Sequence, residues 1–183
     1  MASSRLSSFL ALLLIAGAVA AQAPERVRGR ITGFDGRTLT VDGKTQVQLG
    51  EKTEIVYLQP ITLSEINPGD FLGVTSMKRA DGTLSAVEVR RFLKPVNPGH
   101  RPFDGRDDQT MTNATVGRMV QSASGRELTM TYEGGSQKIQ VPANASVTTQ
   151  VPGSRAHLVA GAPVNLQAEK GVATRIQVGA PRR

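Results

Sequence analysis

The sequence predicts an all-β protein: two tandem small β-barrels, OB-like or SH3-like, behind an N-terminal signal peptide. Three observations lead there. Short segments alternate apolar and polar residues with a period of two. Turn dipeptides separate them. The whole pattern is then written a second time.

The first copy begins with Arg26-Val27-Arg28-Gly29-Arg30-Ile31-Thr32, where apolar or small residues alternate with polar ones. Thr38 to Asp42 alternates again after the turn Phe34-Asp35-Gly36. Gln46 to Leu49 follows Asp42-Gly43, a type I′ hairpin signal. Glu54–Tyr57, Phe71–Ser76 and Leu84–Arg90 complete six short strands, with Asp81-Gly82 joining the last two. Thr62-Leu63-Ser64-Glu65 fits a capping box for one helical turn, which Asn67-Pro68-Gly69-Asp70 then breaks. The inward set is Val27, Ile31, Leu39, Val41, Val47, Leu49, Ile55, Leu72, Val74, Val87 and Val89.

The second copy matches in the same order. Gly29-Arg30-Ile31 matches Gly117-Arg118-Met119, and Gly36-Arg37-Thr38-Leu39 matches Gly125-Arg126-Glu127-Leu128. Val47-Gln48-Leu49, Ile55, Ile66 and Gly69 match Ile139-Gln140-Val141, Val147, Leu158 and Gly161. Gly82, Val87 and Val89 match Gly171, Ile176 and Val178. The expected organisation is a signal peptide over 1–20, a first barrel over 24–92, a Pro/Gly/Asp-rich linker over 93–113 and a second barrel over 114–180. A sheet this small must curl to bury a core and hide its edges. On the first strand of the second copy, Val116, Arg118 and Val120 read as outward, a candidate docking face between the barrels.

The N-terminus reads as an export signal. Arg5 supplies a positive start, Phe9 to Val19 is an uncharged apolar run, and Ala18-Val19-Ala20 offers small residues for cleavage after Ala20, with Ala21-Gln22-Ala23 as a nearby second candidate. The run is too short to cross a bilayer, which needs about 20 apolar residues. The expected location is therefore the periplasm or the exterior, with no transmembrane segment in the mature chain.

Composition narrows function. The 183 residues contain no Cys and no Trp, which excludes disulfides, Cys-ligated metal and thiol chemistry. Twenty-two Lys and Arg face 15 Asp and Glu, for a net charge of +7. Arg26, Arg28 and Arg30 line one strand face, a candidate surface for an anionic partner. Nucleic acid is not expected, because single-strand binding through a small barrel needs aromatic stacking platforms that this chain does not array. His100, Asp104, Asp107 and Asp108 lie close together in the linker and could hold a divalent metal, although Arg101 and Arg106 interrupt them. His157 reads as a surface or turn residue. No Gly-x-Ser-x-Gly elbow and no recurring carboxylate pair supports catalysis.

The words Pro68-Gly69-Asp70-Phe71-Leu72-Gly73-Val74 and Ala80-Asp81-Gly82-Thr83-Leu84-Ser85-Ala86-Val87-Glu88-Val89, after G-x-I-x-x-x-x-G-x-x-L-T-V, resemble a family of bacterial exported domains of unknown function. Gly99 to Asp104 and Thr110 to Val116 are similar to a two-repeat subset. The resemblance implies a β-rich, OB-like exported protein and supplies no catalytic residues. Some relatives carry a metal-transport permease label, but a permease needs membrane spans. The functional expectation is an exported, non-enzymatic protein with a binding or structural role in the cell envelope, its partner an envelope protein or an anionic envelope surface, with no cofactor. The alternatives are a metal-binding accessory protein using the linker donors, and a hydrolase.

Overall fold

The computed structural model describes residues 24–122 and 125–181, so the expected signal peptide lies outside the described residues. Residues 24–92 form β1 (Glu25–Phe34), β2 (Thr38–Val41), β3 (Thr45–Pro60), a single 3-10 turn (Leu63–Glu65), β4 (Phe71–Lys78) and β5 (Leu84–Arg91). Then come β6 (Gly99–Phe103), β7 (Arg106–Ser122), β8 (Gly125–Tyr132), β9 (Gly135–Val141) and β10 (Ser146–Pro152). A second 3-10 turn (Arg155–His157), β11 (Pro163–Glu169) and β12 (Val172–Gly179) finish the fold. It is an all-β, barrel-forming chain.

The pairing draws two closed rings. In the terminal barrel β1 pairs antiparallel with β2 and β11, β2 with β3, and β11 with β12, while β12 closes in parallel onto β3. In the central barrel β7 pairs antiparallel with β4 and β8, β8 with β9, and β4 with β5, while β5 closes in parallel onto β9. The two rings thus share one strand order and one parallel closure. β10 joins them, antiparallel to β3 and parallel to β5, so all twelve strands lie in one hydrogen-bonded sheet.

Each ring mixes the two sequence copies, and this corrects the expected boundaries. The core of the terminal barrel combines Val27, Ile31, Leu39, Val41, Val47 and Leu49 with Leu158, Val164, Leu166, Ile176 and Val178. The core of the central barrel combines Ile66, Leu72, Val74 and Val89 with Ala114, Val116, Leu128, Met130, Ile139 and Val141. Neither 24–92 nor 114–180 is a barrel by itself. The central barrel is one unbroken stretch, roughly 61–145, inserted into a terminal barrel made from both flanks. Its strands follow the chain order β4-β5-β7-β8-β9, a circular permutation of the order in the terminal ring.

The physical reason lies in β3. Its 16 residues, at about 3.3 Å each, span about 50 Å, more than one small barrel can use. Between Gly50 and Tyr57 the sequence has no Pro, Asn or Asp to turn it back. The first half of β3 pairs with β2, and its second half pairs with β12 on one edge while it crosses β10 on the other. The chain then delivers β4 and β5 to the strands of the other copy, which present the same kind of surface. This exchange of equivalent elements is what domain swapping does between chains.

The linker 93–113 is likewise no plain connection. Asp104 and Gly105 both hold positive φ, 53° and 69°, in a two-residue turn of the kind a right-twisted hairpin prefers. β6 and β7 fold on it as a hairpin that extends the central sheet. Upstream, Asn113 Nδ2 donates to the carbonyls of Val96 and Asn97 at 2.9 and 3.2 Å, pinning the start of the linker.

Bulges correct two side-chain directions. Pairing of β4 with β5 slips between Thr75 and Ser76, so Ala86 rather than Val87 turns inward, and Val87 is 44% exposed. The β7–β8 register slips after Val116, which is buried in the central core while Val120 faces out, so the expected valine docking face does not form. One extra residue in a strand reverses every later side chain.

Two outcomes test this architecture. Residues 61–145 made alone fold as a monomer with a cooperative urea transition, whereas 24–92 does not; monomeric cooperative folding of 24–92 would refute the exchange. Leu128, fully buried in the central core, costs about 2–5 kcal/mol when changed to Ala, in the fragment and the full chain alike, by urea denaturation.

Candidate functional site

Between the barrels lies a cleft of about 750 Å³. Alternation along β11 builds one wall: Val164, Leu166 and Ala168 enter the core, leaving Pro163 and Asn165 on the outer face. Gln177 of β12 sits opposite Asn165 in register and joins the same face. The other wall is β5, with Val87 at its bulge and then Glu88 and Arg90. Leu58, Pro60, Ser146 and Thr148, around the β3–β10 crossing, form the floor.

Arg90 ties the walls together. Its Nη1 donates to Gln177 Oε1 at 3.2 Å, and its Nη2 pairs with the Glu88 carboxylate. Its Nε is buried and has no partner among the described residues, as is the hydroxyl of Thr148. The central barrel thus lends a half-buried ion pair to a cleft whose opposite wall carries two side-chain amides. None of these four residues was singled out in the sequence. Glu88 and Arg90 read there as ordinary outward positions of a strand, and Asn165 and Gln177 come near them only through the strand exchange.

The three arginines of β1 are exposed, as their alternation implies. Arg28 faces Asn165 in the β1–β11 register, which sets this row beside the cleft. Arg28 Nη1 donates to Asp104 Oδ2 at 2.6 Å, so the tip of the β6–β7 hairpin reaches from the central barrel to the terminal one. Both groups are about half exposed, so the pair positions the hairpin more than it stabilises the fold. Arg30 Nη1 donates to the Gly161 carbonyl at 3.0 Å, and Arg26 has no partner among the described residues.

The four linker donors do not converge. Asp104 is taken by Arg28, and Asp108 accepts two hydrogen bonds from Arg106, at 3.0 and 2.8 Å, which hold its carboxyl below the usual carboxylate range. Asp107 is exposed on the start of β7. His100 stands across the hairpin, its Nδ1 2.8 Å from Thr112 Oγ1. Among the described residues no group of three or more His, Asp or Glu side chains is gathered as a metal ion requires.

The other imidazole has a structural task. In the first 3-10 turn Glu65 accepts the Thr62 amide at 2.7 Å, as the capping pattern implies, and that bond holds its carboxyl below the ordinary range. In the second turn His157 Nδ1 accepts the Ser154 amide at 3.0 Å. Imidazole thus replaces carboxylate as the cap, and its ring stacks on Tyr57 with centroids 4.2 Å apart. Ser154 Oγ lies 3.3 Å from the same nitrogen. That nitrogen is already committed to an amide, and among the described residues no carboxylate bonds to the ring to orient it, as a nucleophile–base pair needs.

No family model, curated protein or solved structure matches the chain. Among the described residues no helix is long and apolar enough to cross a membrane.

Burial holds the His100 imidazole below its ordinary value of 6.5. The unfolded chain therefore takes a proton at higher pH than the folded one. The stability this contributes is complete above that ordinary value and is lost as pH falls through the folded one. Urea midpoints of the wild type fall between about pH 7.5 and pH 5, and His100→Gln reduces the fall; an unchanged slope would contradict it. The carboxylates of Asp35, Glu65, Asp81 and Asp108, lowered by hydrogen bonds, act only in more acid solution.

Proposed function

We propose that this is an exported, non-enzymatic protein with a binding role in the cell envelope, and that the arginine row of β1 meets an anionic envelope surface. The observation that carries the reading is the placement of Arg26, Arg28 and Arg30 together on one exposed strand face beside the inter-barrel cleft. Asp104 offsets only one of the three charges. Arg101, exposed on the facing hairpin, adds to the same sign. Three guanidiniums at a spacing of two residues lie about 7 Å apart along the strand, a repeat that suits a surface of many anions better than one small anion. The export signal and the resemblance to exported β-rich domains support an envelope setting.

A metal-binding accessory role gains no support from the geometry, since two of the three linker carboxylates are committed to arginines. A hydrolase reading gains no support either, since among the described residues neither imidazole is bonded to a carboxylate.

Vesicle sedimentation tests the proposal. The protein co-sediments with phosphatidylglycerol vesicles and not with phosphatidylcholine ones. Replacing all three β1 arginines with Ala weakens this at least tenfold. Raising salt from about 0.01 to 0.1 M, which shortens the screening length from about 30 to 10 Å, weakens it as well. Equal binding to neutral vesicles, or no effect of the triple change, would sink the reading.

A further inference from the structure

Resting on that binding role but on a different set of residues, we propose that the inter-barrel cleft takes a short, uncharged peptide segment in extended conformation. Four features of the cleft select this chemistry. Its volume, about 750 Å³, falls within the range of sites that enclose small ligands. Its two charges already neutralise each other: Arg90 and Glu88 form a half-buried pair, and a charged ligand would have to break it, leaving one partner uncompensated.

Its free hydrogen-bonding capacity is amide-like. The Asn165 side chain has no hydrogen-bond partner among the described residues, and the Gln177 side chain uses only its oxygen, toward Arg90. These two side chains are direct neighbours in the β11–β12 register, so together they offer donors and an acceptor in a row. A peptide backbone presents the complementary pattern at each residue.

Apart from Ser146 and Thr148 on the floor, the remaining lining is mostly aliphatic, with Leu58, Pro60, Val87, Pro163 and Pro181 among it. These accept apolar side chains at little entropic cost. They provide no aromatic face on which a sugar or a base would stack. The strands that border the cleft are paired on both sides, β10 with β3 and β5, and β12 with β11 and β3. The segment therefore lies across side chains and does not extend the sheet as a further strand.

The test is an NMR titration of the full chain, isotopically labelled, with acetylated and amidated hexapeptides that alternate Val or Ala with Thr or Asn. Backbone signals of Val87, Asn165 and Gln177 shift saturably, and the affinity is unchanged by salt or by Arg26→Ala. Val87→Arg fills the cleft from an exposed position, keeps the wild-type thermal transition, and weakens binding at least tenfold. Asn165→Ala weakens it by a smaller factor. The proposal is overturned if no peptide of the set shifts those signals, if binding survives Val87→Arg, or if peptides carrying Glu bind better and lose affinity with salt. Vesicle sedimentation of the same variants separates the two readings. Val87→Arg leaves vesicle binding intact, and the triple arginine change leaves the peptide titration intact, so either can fail alone.

Discussion

From Val56 opposite Pro152 to Pro60 opposite Thr148, two strands run antiparallel where the chain passes from one barrel to the other. This crossing determines which halves meet. Because β3 continues past its bulge at residues 50–53 into this crossing, strands β4 and β5 are carried away from the ring that contains β1 to β3. The vacated positions are filled by β11 and β12, which arrive from the far end of the chain. The cleft is a by-product of the same crossing. Its floor is the crossed pair, and its walls are the two strands, β5 and β12, that close the two rings.

The apolar alternation of the sequence specifies which side of a strand faces inward, and there it is reliable. Val27, Ile31, Leu39, Val41, Leu72, Val74 and Val89 are all buried. The turn signals are equally local: Asp42 and Gly43 both adopt positive φ, and Glu65 caps Thr62. What alternation cannot specify is which copy supplies the partner. Leu72 faces the same kind of neighbours whether β1 or β7 lies alongside, so the choice rests on where β3 carries the chain and not on any complementary residue.

Val87 and Val116 were illegible for another reason. A bulge is set by the mismatch of two paired strands and leaves no mark on either alone. Asp104-Gly105 is the opposite case. It carries the same turn signal as Asp42-Gly43, masked by the surrounding charges, which suggest metal ligands when read one residue at a time. Asp104 pairs with Arg28 and ties the hairpin to β1, and Asp108 pairs with Arg106 on its own strand. The candidate site was legible only in its rim, since its centre joins residues nearly ninety positions apart, Arg90 and Gln177.

The nested arrangement also gives the molecule an order of birth. A ribosome releases the chain from its N-terminus, so β1, β2 and β3 emerge first with half a core and nothing to close it. The central barrel has all its strands by Val141 and can complete itself while its predecessor stays open. Only when Val164, Leu166, Ile176 and Val178 appear can the earliest strands be sealed. The oldest part of the polypeptide is the last to be sheltered from water, and over the final stretch of synthesis after Val141 a finished barrel sits between the two halves of an unfinished one.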